Sequence, residues 1–104
     1  MGDLSHAIQT YVESNGYSVV REYVGHGIGR ELHEEPSVPN FGKPSRGVML
    51  EAGLVLAIEP MVNAGGYEVR LTENGWTVVT EDGELSSHYE ETVVITPNGY
   101  EVLT

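Results

Sequence analysis

Between residues 3 and 15 the apolar positions are Leu4, Ala7, Ile8, Tyr11 and Val12. They recur at helical spacing and form one stripe, so the pattern predicts a helix over 3–15. Asp3 or Ser5 is placed to cap its start, and Asn15-Gly16 to stop it. Residues 17–24 (Tyr-Ser-Val-Val-Arg-Glu-Tyr-Val) are rich in β-branched and aromatic side chains and predict a strand. Residues 25–47 then carry Gly25, Gly27, Gly29, Pro36, Pro39, Gly42, Pro44 and Gly47, a density of breakers that predicts a long irregular segment. Loops of that length inside a compact domain are usually functional or disordered.

Beyond it, residues 54–62 form an apolar run with one acid, Glu59, and predict a buried strand. Gly65-Gly66 marks a turn. Tyr67–Leu71 and Trp76–Thr80 predict a hairpin around Glu73-Asn74-Gly75, and Glu81-Asp82-Gly83 another turn. Residues 88–96 predict a strand, with Pro97-Asn98-Gly99 turning into Tyr100–Leu103. The expected fold class is α/β (α+β): a single domain over 1–104, with one N-terminal helix on a curved, mostly antiparallel sheet. No internal repeat or low-complexity tract interrupts it.

Composition narrows the function. The 104 residues are 39% hydrophobic, which argues against disorder. No apolar stretch approaches membrane length, and the N-terminus has no basic region leading into an apolar run, so neither a spanning helix nor a signal peptide is expected. The absence of cysteine excludes disulfides, thiolate metal sites and a thiol nucleophile, and fits a reducing cytoplasm. Five Lys and Arg face sixteen Asp and Glu, for a net charge of −11. The cations Arg21, Arg30, Lys43, Arg46 and Arg70 are scattered, so nucleic acid and anionic membranes are set aside as partners. Most of the acids read as a solvated surface; a few could bind a metal or a cationic amine.

Three places break the ordinary patterns. The alternating glycines of Gly25-His26-Gly27-Ile28-Gly29-Arg30 let backbone pass close to another group, or adopt positive φ. A phosphate-binding Gly-X-Gly-X-X-Gly would need glycine where Arg30 stands. In Leu32-His33-Glu34-Glu35-Pro36 a zincin His-Glu-X-X-His fails, because position 37 is Ser and Pro36 opposes a helix. Glu34-Glu35 therefore reads as a solvated acidic face. The third place is a pair of acids within predicted strands, Glu59 and Glu90. A carboxylate in a dry strand is costly unless it is paired, bound to metal or on an exposed edge. Imidazoles with two strand carboxylates form a nitrogen and oxygen donor set suited to a transition metal.

At these places the chain resembles the type I methionine aminopeptidases. The motifs occur in family order: Gly25-His26-Gly27-Ile28-Gly29, His33-Glu34-Glu35-Pro36, Ala57-Ile58-Glu59-Pro60-Met61, Asn74-Gly75-Trp76-Thr77 and Tyr89-Glu90. The resemblance implies half of a pita-bread fold and a metal-dependent hydrolase that removes N-terminal Met from peptides or nascent proteins in the cytoplasm. It implies His26, Glu59 and Glu90 as metal ligands, with Glu90 bridging two metals. It implies His33 as the catalytic histidine that contacts the substrate backbone, and Leu32 and Trp76 as lining of the methionine pocket. The cofactor would be a divalent metal: Co, Mn, Fe, Zn or Ni.

Two departures are local. Leu32 stands where the family usually has Phe, and Glu91 where a His is common. A larger one is that the family draws two aspartates and another histidine from its first half, and the only aspartates here, Asp3 and Asp82, match neither position. The chain resembles the second half alone, with three of five ligands, so metal would be weakly held or absent and activity slight or nil. The alternative is a non-catalytic half-domain, a fragment or a folding and evolution model, that self-associates into a homodimer. Its exposed apolar face is expected to carry Leu56, Ile58 or Val94.

Overall fold

A computed structural model describes all 104 residues. Helix α1 spans Gly2–Ser14 and ends at Asn15, with Gly16 at φ 84° completing the stop. Neither expected cap is used: Met1 is the N-cap residue, and no side chain caps the helix. Asp3 instead accepts the Ser45 N–H at 2.6 Å, tying the helix start to the 43–46 segment. Gly2 is needed for that approach, since a Cβ there would lie 2.2 Å from the Lys43 carbonyl oxygen. The predicted stripe divides. Leu4, Ile8 and Val12 are partly covered and Gly2 and Ser5 fully buried, whereas Ala7 is exposed and Tyr11 is 73% exposed.

Ten short strands follow: β1 Ser18–Val19, β2 Gly25–Gly27, β3 Glu34–Val38, β4 Val55–Ile58, β5 Met61–Asn63, β6 Val69–Leu71, β7 Val78–Thr80, β8 Ser86–His88, β9 Glu91–Thr96 and β10 Gly99–Val102. Every pairing is antiparallel. One helix on antiparallel sheets is the expected class. The strands divide into a five-stranded sheet in the order β10-β9-β4-β2-β3, a three-stranded sheet β1-β5-β8, and the β6-β7 ribbon.

The segment 25–47 is not irregular throughout, because β2 and β3 lie within it. Its first glycines serve close approach, while Gly47, at φ 75°, takes a turn conformation. Gly25 and Gly27 are buried between neighbouring strands, and a Cβ would sit 2.1 Å from the Ala57 oxygen at the first and 2.2 Å from the Glu35 oxygen at the second. The predicted strand 17–24 shrinks to two residues, with β2 taking up its direction after an irregular stretch.

The predicted strands 54–62 and 88–96 are each cut in two. Register pairs Ile58 with Glu91 on one side of the cut and Met61 with His88 on the other. Glu59-Pro60 and Tyr89-Glu90 therefore face each other at the junction of two sheets, outside any strand. Pro60 has no N–H to give a ladder, so pairing stops there on the β4–β5 chain. Its carbonyl still accepts the Tyr89 N–H at 3.2 Å. Both acids thus sit at strand breaks, not within strands as expected.

Val38, Leu56 and Val93 form the core, with Met1, Leu4, Leu50, Leu54 and Ile58 packed against it. Period-two alternation puts Leu56 and Ile58 on one face of β4, and their neighbours Val93 and Glu91 on the same face of β9. An apolar groove of about 360 Å³ opens on that side, lined in part by Leu4, Ile58, Val93, Ile95 and Tyr100, with Glu91 among them. Leu56 does not belong to any open face: it is fully buried, because β9 and the helix side of the core close over it. Ile58 lines the groove and Val94 faces the opposite side of the sheet. No helix is long and apolar enough to cross a membrane.

Candidate metal centre

Three elements converge on the sheet junction. His26 is the middle residue of β2 and pairs across to Ala57, two residues before Glu59. Glu59 follows β4 directly, and Glu90 precedes β9. The register β2-β4-β9 carries all three to one end of the five-stranded sheet. One ligand atom from each of His26, Glu59 and Glu90 lies within 4.8 Å of the others. Residues 64 positions apart in sequence thus share a space the size of a coordination sphere.

The hydrogen bonding of His26 gives the centre its character. Its Nδ1 stands 2.9 Å from the Gly27 carbonyl oxygen, which can only accept, so Nδ1 carries the proton. In a neutral imidazole, Nε2 then presents a lone pair. It faces Glu59 Oε2 at 3.1 Å, with the two side chains 14% and 17% exposed. A lone pair against a carboxylate oxygen calls for a positive centre between them, either a proton or a cation. Imidazole nitrogen with two carboxylates suits first-row divalent metals, so this donor set fits one on its chemistry as well as its spacing.

Of the remaining site candidates, His33 is the one with a direct contact to this group. The His33 ring is exposed and its centroid is 4.1 Å from that of His26, tilted by 45°. Leu32 and Trp76 are 68% and 82% exposed and enclose nothing among themselves. Asp3 and Asp82 are occupied elsewhere, Asp3 on the Ser45 N–H and Asp82 on the N–H groups of Gly66 and Glu84. Those two backbone donors, Glu84 foremost, hold the Asp82 carboxyl below its ordinary pKa. Glu91, next to Glu90, points away from the centre. It accepts the Tyr89 hydroxyl at 2.7 Å, and that bond together with the carboxylate charge raises the Tyr89 pKa.

One neighbour was not singled out from the sequence. His88 Nε2 stands 3.6 Å from Glu59 Oε1. The available signal was its position two residues before Glu90, which in extended chain gives the same side.

The model of metallopeptidase family M24 matches residues 1–97. The chain belongs to family M24. The M24 relatives are close in sequence. A methionine aminopeptidase of Clostridium perfringens is 67% identical over 102 residues, covering 98% of this chain and 41% of its own length. Methionine aminopeptidase 1 of Bacillus subtilis is 55% identical over 104 residues, all of this chain and 42% of that protein. The crystal structure of a methionine aminopeptidase from Thermotoga maritima superposes with a TM-score of 0.97 at 57% identity, over 99% of this chain and 41% of that one. This M24 chain spans about two fifths of the length of the relatives it matches, and corresponds to their C-terminal part, half of the pita-bread fold.

Proposed function

We propose that this M24 chain is the metal-holding C-terminal part of a methionine aminopeptidase, and that by itself it binds a divalent cation weakly and releases little or no methionine. The observation that carries this reading is the convergence of His26, Glu59 and Glu90 within 4.8 Å. When bound, a divalent cation there would supply Lewis-acid polarisation of the peptide carbonyl and acidify the attacking water. Co, Mn, Fe, Zn and Ni all suit the donors. The chain's own residues would do the rest. His26 and Glu59 hold the cation from the β2–β4 side and Glu90 from the start of β9. His33, beside His26, orients the substrate backbone, and Leu32 and Trp76 form one wall of the pocket for the methionine side chain. Their exposure suits a wall that meets its other side only in the longer protein. The setting proposed for the complete enzyme is the cytoplasm, with N-terminal Met of peptides or nascent chains as substrate.

Weakness follows from the ligand count. With one imidazole and two carboxylates, a second cation would lack the aspartates that hold it in the family. Titration calorimetry with Co(II) or Mn(II), with a Met-Ala-Ser peptide assay in excess metal, tests this reading. Turnover matching a complete relative, and lost in Glu90→Ala, would overturn it.

The apolar groove favours a second reading, self-association. Leu4, Ile58, Val93, Ile95 and Tyr100 leave apolar surface open beside the core, and surface of that kind drives association. The groove would be covered in a homodimer. With −11 on each copy, repulsion opposes contact, so added salt should strengthen it by screening. Sedimentation at two salt concentrations measures this, and a monomer at both would end the dimer reading.

A further inference from the structure

Glu59 has two oxygens and an imidazole at each. Oε2 faces His26 Nε2 at 3.1 Å, while Oε1 faces His88 Nε2 at 3.6 Å. The two histidines arrive by separate routes. His26 comes from β2 in the five-stranded sheet; His88 ends β8 in the three-stranded sheet, where it pairs with Met61 beyond the Pro60 break. The carboxylate therefore lies between two sheets, one oxygen facing each.

We propose that His88 is a positioning residue for Glu59: its ring N–H holds Oε1, so that Oε2 stays turned toward His26 and Glu90. The inference rests on the cation reading of that centre and adds to it the group that orients one ligand. The terminal torsion of a glutamate is broad, so an unrestrained carboxylate turns its two oxygens through the same space. A donor on one oxygen removes that freedom. At 3.6 Å the contact is longer than a hydrogen bond. The His88 side chain is 42% exposed and less confined than Glu59 at 17%, which leaves its ring free to turn toward Oε1. Donors to metal-ligating carboxylates typically change metal affinity by about 10–100-fold when removed.

The test uses the full 104-residue chain, titrated with Co(II) by calorimetry and followed by the visible spectrum of the bound cobalt. The variants are Glu59→Gln, His88→Leu and His88→Gln. Glutamine keeps an N–H donor of similar reach, and leucine does not. Expected is about a 10–100-fold loss of affinity in His88→Leu, with His88→Gln within roughly threefold of the unsubstituted chain and an unaltered cobalt spectrum. Metal-free circular dichroism spectra check that each variant folds, and His88→Ala repeats the comparison if leucine disturbs β8. Unchanged affinity in His88→Leu would overturn the proposal. So would a His88→Gln variant as weak as His88→Leu, which would make His88 a ligand in its own right. A chain that binds Co(II) no more tightly than its Glu59→Gln variant would overturn the cation reading itself, an outcome visible without any His88 variant.

Discussion

The β6–β7 ribbon and the junction where β4 and β9 break are built on opposite principles. The ribbon is held by its own neighbours. The side-chain Oδ1 of Asn74 accepts the N–H groups of Trp76 and Thr77 at 3.0 and 2.9 Å and the Thr72 hydroxyl at 2.8 Å, while Gly75 adopts φ 84°. At the ribbon's base Asp82 accepts the N–H groups of Gly66 and Glu84. Nearly all of these contacts span a few residues and lie in solvent. The junction has almost no local logic. His26, Glu59, His88 and Glu90 meet there because three strands pair in one register and two strands stop opposite each other. The ribbon shows what turn chemistry alone can specify, and the junction what it cannot.

The largest effect should come from the core that supports the junction. Leu56→Ala removes a fully buried side chain and is expected to cost about 2–5 kcal/mol in urea unfolding. A cost below ~1 kcal/mol would place Leu56 on an open face after all, far from the price of a core cavity. Next, Gly25→Ala puts a Cβ against the Ala57 carbonyl, 2.1 Å away. Backbone must shift, and a loss of about 1–3 kcal/mol is expected by the same measurement. Gly75→Ala, at a positive φ but in open space, should cost less, about 1 kcal/mol. If the two cost the same, the junction is no more tightly specified than the ribbon.

The adjacent acids sharpen the comparison further. Glu90 converges with His26 and Glu59, whereas Glu91 lines the groove on the other side of the sheet. Glu90→Ala should weaken Co(II) binding by at least about tenfold, and Glu91→Ala should leave it within roughly twofold, read by calorimetry. Equal losses would mean that net negative charge, not position, sets the affinity.

In the ribbon, Asn74→Ala removes the acceptor for three donors. Those donors are exposed and turn to water, so only about 1 kcal/mol is expected. Amide exchange should speed up at Trp76 and Thr77 and leave His26 and Ala57 unchanged. The smallest effect is that of Asp82. Its pKa is lowered on folding by backbone donors, so the stability it contributes is present above the ordinary aspartate range and is lost as pH falls through its depressed value. Asp82→Asn should lower the melting temperature slightly near neutrality, leave it unchanged at strongly acidic pH, and so flatten that acid limb, as seen in melting temperatures across the acid range.

Helix α1, the β6–β7 turn and the turns at Gly83 and Gly99 were legible because their causes are local: apolar spacing, Asn-Gly, and glycines at positive φ. The motif residues His26, Glu59 and Glu90 were legible as chemistry out of place, an imidazole between glycines and acids in apolar runs. Tertiary structure decided how those signals resolve. Gly25 and Gly27 look like turn markers in sequence, yet they are strand residues, because only the neighbouring carbonyls of Ala57 and Glu35 reveal that no Cβ fits. Pro60 signals an interrupted ladder, but the matching break at Tyr89-Glu90 has no proline and exists only because β9 pairs with β4 and β8 with β5. His88 carries only a faint local mark, its position two residues before Glu90. Its place beside Glu59 comes from pairing between segments 27 residues apart, and a contact made at that separation leaves its cause in the register of the sheet, not in the residues flanking either partner.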